Sequence, residues 1–179
     1  MTFSDSPMTF DQAVEPLVRA YIGIGSNLAD PWNQVKRAIA ELDEIPDCCC
    51  VKHSSLYRSR PLGPTDQPDF VNAVAAVDTT LSAQRLLEIL HEIERRHGRV
   101  RGAQQWGPRT LDLDLLVYGS ACIVSESLTV PHPGVVQRDF VLHPLYEIEP
   151  DMQVPGHGPI AGYLSRCVDH GLERLGNPV

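Results

Sequence analysis

The sequence predicts an α+β protein, a ferredoxin-like βαββαβ sandwich with additional C-terminal helices. Short apolar runs alternate with segments of helical periodicity in the order strand, helix, strand, strand, helix, strand. The length of 179 residues also suits one domain with a single core. We expect residues 1–18 to be an N-terminal extension, either a disordered lead-in or a contact segment, and residues 19–179 to form the domain.

Glycine and proline mark the first elements. Residues 21–25 are an apolar run closed by glycine, which is typical of a buried strand. Asp30 and Pro31 supply an N-cap and a proline for the first helical turn, and Pro46 ends that helix. Residues 51–57 follow as a strand, before a proline-rich loop whose composition favours a functional role.

Strands and helices continue to alternate after residue 70. Residues 70–77 predict a strand, and a second helix begins at residues 81–82 and ends near residues 97–98. Residues 110–118 alternate between apolar and polar side chains, which indicates another strand. A short helix near residues 136–147 and a C-terminal helical segment complete the prediction.

Charge and cysteine content exclude several classes of protein. The 23 acidic residues outnumber the 15 Lys and Arg residues, and a net charge of −8 argues against nonspecific nucleic-acid binding. No apolar stretch approaches the ~20 residues that cross a membrane, and residues 1–18 do not have the pattern of a secretory signal. Five cysteines, three of them adjacent, are not a disulfide framework. We therefore expect a cytoplasmic protein.

Asp112 and Asp114 stand two residues apart in the last predicted strand. Because strand side chains alternate between faces, both carboxylates lie on one face with their Cα atoms about 6.5–7 Å apart. Carboxylate oxygens at that spacing suit Mg²⁺ ions that take their other ligands from phosphates and water. The alternative is the solvated, charged outer face of an edge strand.

Positive charge is concentrated just before this acidic pair. Five arginines and one glutamate lie between positions 94 and 109, a local charge of +4, so the rest of the chain carries −12. Two of the arginines, Arg95 and Arg96, suit the solvated end of a helix. The three in the loop, whose guanidinium groups suit phosphate oxygens, are Arg99, Arg101 and Arg109. An arginine-rich loop that leads into paired carboxylates indicates phosphoryl transfer.

Two phenylalanines and an asparagine suit a flat ring. Phe70 and Phe140 could sandwich a heterocycle, although an isolated phenylalanine more often belongs to the core. Asn72 shares a strand face with Phe70, where its amide could donate to and accept from a ring edge. Gly23 and Gly25 lack the rest of a phosphate-binding fingerprint, so we expect them to permit a tight turn between strand and helix.

Several motifs point to one family when they are taken in order. They are YIGIGSNL at residues 21–28, RPLGPTDQPDFVN at 60–72, GRVR at 98–101, WGPRTLDLDLLVYG at 106–119 and LTVPH at 128–132. With these motifs the chain resembles the 6-hydroxymethyl-7,8-dihydropterin pyrophosphokinase family. The resemblance implies an enzyme of folate biosynthesis that transfers pyrophosphate from ATP to a pterin alcohol.

The resemblance also implies roles for individual residues. Asp112 and Asp114 would bind two Mg²⁺ ions together with ATP, and Arg99 and Arg109 would be the catalytic residues that stabilise the transferring phosphates. The residues that would line the ATP site are His91, Glu94, Arg101, Thr129, His132 and Arg138. The residues that would bind the pterin are Ser59, Leu62, Phe70, Asn72, Trp106 and Phe140, with the ring stacked between the two phenylalanines.

The expected reaction is an in-line attack of the hydroxymethyl oxygen on the β-phosphorus of ATP, with AMP as the leaving group. One alternative is a phosphotransferase with another flat acceptor, which would release ADP. Another is a noncatalytic nucleotide-binding module. We expect a monomer with small-molecule substrates and with no nucleic-acid or membrane partner. Arg60 and His91 depart from the family, in which proline and glutamine are common at these positions.

Overall fold

In residues 16–99 and 107–178, which the computed structural model describes, the chain forms a six-stranded antiparallel sheet, two short hairpins and three α-helices. The strands are β1 (Val18–Ser26), β2 (Cys48–His53), β3 (Leu56–Ser59), β4 (Phe70–Thr79), β5 (Asp112–Tyr118), β6 (Ile123–Val124), β7 (Thr129–Val130), β8 (Gln153–Val154), β9 (Gly158–Pro159) and β10 (Glu173–Gly176). The helices are α1 (Pro31–Asp43), α2 (Ala83–Arg96) and α3 (Asp139–Ile148), with one 3₁₀ helix at Ile160–Tyr163. None of the helices in these residues has the length and apolarity that a membrane crossing needs.

The strand order places β1 at the centre of the candidate site. The sheet runs β10–β3–β4–β1–β5, and β2 pairs with β4 next to β3. Gly25 of β1 is paired with Asn72 on one side and Asp112 on the other, and Gly23 is paired with Asp114. Because directly paired residues face the same side of a sheet, the predicted amide and carboxylates surround two glycines on one face.

Helices α1 and α2 cover the opposite face of the sheet. Leu42 of α1 and Leu86 of α2 are fully buried against Ile22 of β1 and Leu113 of β5. Each fully buried leucine or isoleucine contributes about 1.5–3 kcal/mol relative to an exposed one. The alternation in β5 therefore turns Leu113 and Leu115 into this core and the two aspartates away from it.

Helix α3 packs on the face that carries the aspartates. Leu142 and Leu145 are fully buried in a second cluster that includes Leu116 of β5. Ordinary alternation places Leu115 in the first cluster and Leu116 in the second, and a register shift between β1 and β5 lets the next residue, Val117, lie in the second cluster as well. Phe140, in the first turn of α3, is only partly buried, so this end of the helix is free to form the wall of a site.

Two boundaries in the N-terminal half differ from the prediction. Val18, which the prediction places in the extension, begins β1 and pairs with Thr79. The predicted strand at 51–57 is divided into β2 and β3 by Ser54 and Ser55, which are fully buried. The Ser54 hydroxyl accepts a hydrogen bond from the backbone of β4 at 3.0 Å, so a side chain takes the place of a ladder carbonyl at this break.

The prediction of additional C-terminal helices is correct for α3 and wrong for the segment after it. That segment contains the β8–β9 hairpin, the short 3₁₀ helix and strand β10. Gly171 and Gly176 have φ angles of +66° and +111°, which an α-helix does not allow. The segment instead pairs with β3, whose edge would otherwise be open, through Glu173 opposite Arg58.

Candidate active site

A solvent-open cleft of about 650 Å³ lies on the sheet beside the N-terminal end of α3. Strands β1, β4 and β5 supply its floor, and α3 and the segment after β3 supply its sides. Nine of the residues predicted for the site line this cleft: Ser59, Leu62, Phe70, Asn72, Arg109, Asp112, Asp114, Arg138 and Phe140.

The two glycines of β1 make room for this cleft, and the expectation that they form a turn is wrong. Gly23 and Gly25 lie inside the strand. A Cβ atom at Gly25 would lie 3.3 Å from Asn72 Oδ1, so a side chain there would press on the amide. The turn after β1 is made by Ala29 and Asp30, whose φ angles are +53° and +64°. Asp30 also caps α1, as predicted, by accepting from Asn33 N–H.

Arg99 and Arg109 both bind the carboxylate of Asp112. Arg109 Nη1 donates to Oδ2 at 2.6 Å, and Arg99 Nη1 donates to Oδ1. All three side chains are about one-fifth exposed, so these ion pairs are only partly screened by water. The two predicted catalytic arginines are therefore already directed toward the predicted metal-binding carboxylate.

Asp114 is in a less favourable environment for a negative charge. Burial raises the pKa of its carboxyl group, the neighbouring Asp112 raises the pKa further, and Arg138 acts in the opposite direction. A buried carboxylate beside a second one is the environment that a divalent cation relieves. The described residues contain no group of three or more His, Cys, Asp or Glu side chains placed for a metal. The donor set at the cleft is thus an oxygen pair, which fits a cation such as Mg²⁺ that keeps water and phosphate ligands.

Glu94 lies beneath this cluster and holds it together. Its carboxylate is buried, accepts the backbone N–H of Leu113 at 2.8 Å, and pairs with Arg99. It therefore connects α2, β5 and Arg99 of the loop that follows α2. Glu94 is not among the residues that line the cleft.

A second open cleft, of about 700 Å³, adjoins the first at Asp114, which lines both. It contains three of the predicted ATP-binding residues, namely His91, Thr129 and His132. His132 Nδ1 accepts the backbone N–H of Gly134 at 3.0 Å, so its proton is on Nε2. Burial and the nearby Arg138 lower the pKa of His132 to about 4, which keeps the ring neutral at physiological pH.

Asn72 is held in one orientation in the floor of the first cleft. Its Nδ2 donates to Ser59 Oγ at 3.0 Å and to the carbonyl oxygen of Tyr57 at 3.4 Å. The amide oxygen is therefore the atom that lies over Gly25. Phe70 and Phe140 both line the same cleft, as the hypothesis of a stacked ring requires.

Three residues near the clefts were not predicted as site residues. Asn27 is buried and bonded to two loops, Arg60 lines the first cleft, and His170 contacts Phe140. The partners of all three residues are distant in sequence, so local patterns do not reveal them. The one available signal is the position of Asn27 at the end of a predicted strand. The predicted Arg101 and Trp106 lie outside the described residues.

The sequence matches a family model described as 7,8-dihydro-6-hydroxymethylpterin-pyrophosphokinase (HPPK) over residues 21–150. It is 44% identical over 162 residues to a Haemophilus influenzae protein named 2-amino-4-hydroxy-6-hydroxymethyldihydropteridine pyrophosphokinase, and the match covers 90% of this chain and 100% of the relative. A Pseudomonas aeruginosa protein of the same name is 45% identical over 157 residues, which cover 88% of this chain and 96% of that protein.

The fold is similar to that of solved structures. A crystal structure of Plasmodium falciparum HPPK-DHPS matches with a TM-score of 0.69 at 12% sequence identity. The match covers 87% of this chain and 46% of the solved chain, so this chain spans less than half the length of that protein. At this level of identity the likeness supports the fold alone.

Proposed function

The chain belongs to the 7,8-dihydro-6-hydroxymethylpterin-pyrophosphokinase family, and we propose that it transfers pyrophosphate from ATP to 6-hydroxymethyl-7,8-dihydropterin in folate biosynthesis. One structural observation carries the proposal beyond family membership. A cleft with two aromatic side chains and an amide adjoins, at Asp114, a cleft that contains candidate nucleotide contacts. A flat acceptor and a triphosphate can therefore meet at the acidic pair.

The acceptor half of the site suits a pterin. Phe70 and Phe140 would stack on the faces of the ring, and the amide of Asn72 would bind its polar edge. The Ser59 hydroxyl holds that amide, and the backbone groups of Ser59 and Leu62, which both line the cleft, would bind the same edge of the ring. Trp106 is proposed to contribute on the same side.

The nucleotide half suits ATP. His91, Thr129 and His132 line the second cleft, and Arg138 lines the first together with Asp114. Gly134 lets Arg138 lie close to the backbone, since a Cβ atom at that glycine would be only 2.6 Å from Arg138 Nε. Glu94 and Arg101 complete the proposed set.

Asp112 and Asp114 would hold two Mg²⁺ ions, which when bound align the triphosphate and offset its negative charge. Arg99 and Arg109 pair with the Asp112 carboxylate and would hold the oxygens of the transferring group. Positive charge at these positions stabilises the negative charge that is spread over the phosphate oxygens in the transition state.

The proposed step is an in-line displacement at the β-phosphorus. The hydroxymethyl oxygen forms a bond to this phosphorus and releases its proton to solvent water, the bond to the oxygen between the α- and β-phosphorus atoms breaks, and AMP leaves with that oxygen. A loose transition state of this kind depends on positioning and charge more than on a strong base. The cleft supplies both, since its arginines and carboxylates are fixed to the sheet and to α2.

We assign the βαββαβ part of the chain to the ferredoxin-like class, because both crossover helices pack on one face of an antiparallel sheet with β1 at its centre. We also propose that the protein is a cytoplasmic monomer. The five cysteines, all in the described residues, are free thiols, as in a reducing compartment.

The nucleotide that the reaction forms from ATP tests the proposed function. With ATP, Mg²⁺ and 6-hydroxymethyl-7,8-dihydropterin, the purified protein should release AMP in proportion to the pterin consumed. Release of ADP would mean transfer of a single phosphoryl group. Binding of ATP without turnover would favour the alternative of a noncatalytic nucleotide-binding module. The named relatives are pyrophosphokinases and give that module no support.

A further inference from the structure

Asp139 and His170 form a buried pair that joins the start of α3 to the C-terminal segment. The Nδ1–H group of His170 donates to Asp139 Oδ1 at 2.6 Å, and the backbone N–H of His170 donates to Oδ2 at 2.7 Å. The histidine and aspartate side chains are only 9% and 4% exposed. Both carboxylate oxygens are therefore bonded to a residue 31 positions later in the chain.

This pair also contacts Phe140, which forms part of the acceptor cleft. The backbone N–H of Phe140 donates to Asp139 Oδ1 at 2.8 Å. The imidazole of His170 lies edge-on to the Phe140 ring, with centroids 5.2 Å apart and an angle of 75° between the planes. His170 is not among the residues that line the cleft, so it acts on the cleft through the phenylalanine.

His170 also holds the segment that follows β3. Its carbonyl oxygen accepts the backbone N–H of Arg60 at 2.9 Å and Arg60 Nε at 3.3 Å. Gly171 has a φ of +66°, and a Cβ atom there would lie 2.8 Å from Arg60 Nε, so the arginine packs directly on this turn. Arg60 and Leu62 line the cleft. One residue thus sets two walls of the acceptor site.

We infer that Asp139 and His170 are positioning residues for the acceptor, which set the Phe140 ring and the Arg60 segment before the substrate binds. The inference rests on the proposed function, because it concerns the acceptor site of that reaction. A ring and a loop that are ordered in advance lose less conformational freedom on binding. The pair therefore raises affinity for the pterin and leaves affinity for ATP unchanged.

A separate anchor of the same segment provides a matched control. Arg174 of β10 donates to Ser55 Oγ at 2.7 Å and to Glu147 Oε1 at 3.0 Å. Neither of these partners lines a cleft. Loss of Arg174 loosens the C-terminal strand as loss of His170 does, but it leaves the contacts of Phe140 and Arg60 intact.

The test is the dissociation constant, measured by calorimetry, of 6-hydroxymethyl-7,8-dihydropterin and of a nonhydrolysable ATP analogue with Mg²⁺. We expect His170→Ala and Asp139→Asn each to raise the constant for the pterin about 3- to 10-fold, since a wall must now be ordered on binding. The constant for the ATP analogue should not change, and Arg174→Ala should change neither. His170→Asn keeps a donor for Asp139 without the ring, and it decides the question if the alanine variant does not fold.

The inference is overturned if a folded His170 variant binds the pterin as the wild type does. It is also overturned if Arg174→Ala weakens pterin binding equally, or if pterin and ATP analogue are weakened together. Phe140→Ala separates this failure from failure of the proposed function. If Phe140→Ala weakens pterin binding and His170→Ala does not, only the positioning role is contradicted. Unchanged binding by Phe140→Ala contradicts the proposed acceptor site itself.

Discussion

Asn27 and Arg109 are joined by a reciprocal pair of hydrogen bonds. The backbone N–H of Asn27 donates to the carbonyl oxygen of Arg109 at 3.1 Å, and the backbone N–H of Arg109 donates to Asn27 Oδ1 at 2.8 Å. Asn27 Nδ2 donates to Gln67 Oε1 and to the carbonyl oxygen of Pro68, both at 3.0 Å. A single buried amide therefore joins the end of β1, the proline-rich loop and the residues that lead into β5.

Asn27→Ala should destabilise the protein and lower its turnover. The substitution leaves the N–H of Arg109 and the carbonyl oxygen of Pro68 without their partner, and each unsatisfied group costs about 1–3 kcal/mol. Urea unfolding measures the loss of free energy, and AMP release measures the lowered kcat. Asn27→Asp is the matched variant, because it keeps the acceptor for Arg109 but places an oxygen against Gln67 and Pro68. Wild-type stability in both variants would contradict this role of Asn27.

Asp114→Asn should lower kcat by about 100-fold or more, because the charge that a metal supplies to such a transition state is worth several kcal/mol. The variant should also need more Mg²⁺ for half-maximal activity, and Asp112→Asn should behave similarly. A titration of initial rate against Mg²⁺ at saturating ATP measures both effects. Glu88→Gln removes an exposed carboxylate of α2 and should match the wild type. Near-wild-type turnover of both aspartate variants at saturating Mg²⁺ would exclude the proposed metal ligands.

Arg99→Ala should reduce kcat by at least about 10-fold, which corresponds to ~1.4 kcal/mol of transition-state stabilisation. The substitution also removes an ion-pair partner of the buried Glu94, so part of the loss could come from lower stability. The double variant Arg99→Ala, Glu94→Gln separates the two effects, because it also removes the buried charge of Glu94. Its thermal stability should be higher than that of Arg99→Ala, and its kcat should remain as low.

Arg95→Ala provides the control for charge alone. Arg95 is an exposed arginine of α2 that pairs with Glu92, so its removal changes the net charge near the site without touching Asp112. Its kcat should equal that of the wild type. Equal losses for Arg95→Ala and Arg99→Ala would mean that only long-range charge matters.

The sequence was sufficient for the features that depend on local periodicity. The alternation at residues 111–115 predicts that Asp112 and Asp114 share a face, and the structure confirms this in β5. The N-cap at Asp30 and the apolar stripe of α2 are likewise local, and both are found as predicted.

What could not be predicted depends on contacts between distant segments. The bonds of Asn27 reach Arg109, 82 positions away, and those of His170 reach Arg60, 110 positions away. The sequence predicts that Gly23 and Gly25 form the turn after β1, because nothing local indicates that Ala29 adopts a left-handed conformation. Strand β10 exists because β3 offers an open edge, which residues 173–176 alone do not reveal.

Glu147 of α3 joins that helix to β3 and β10 through a set of hydrogen bonds. Tyr57 Oη and Ser55 Oγ each donate to its carboxylate at 2.7 Å, and Arg174 donates at 3.0 Å. Burial alone would raise the pKa of Glu147, but the hydrogen bonds from Tyr57 and Ser55 outweigh it, and the pKa lies below its ordinary value of 4.5. The folded state therefore binds this proton more weakly than the unfolded state does.

The stability that Glu147 contributes is consequently present above pH 4.5 and is lost as the pH falls through its lowered pKa in the folded protein. Glu147→Gln should lower the free energy of unfolding at pH 7 by about 1–2 kcal/mol through weaker hydrogen bonds. It should also make the decline of stability between about pH 5 and pH 3 shallower than in the wild type. Urea unfolding at a series of pH values measures both. Glu44→Gln, an exposed carboxylate at the end of α1, should keep the wild-type slope, and a wild-type slope in Glu147→Gln would contradict the assignment.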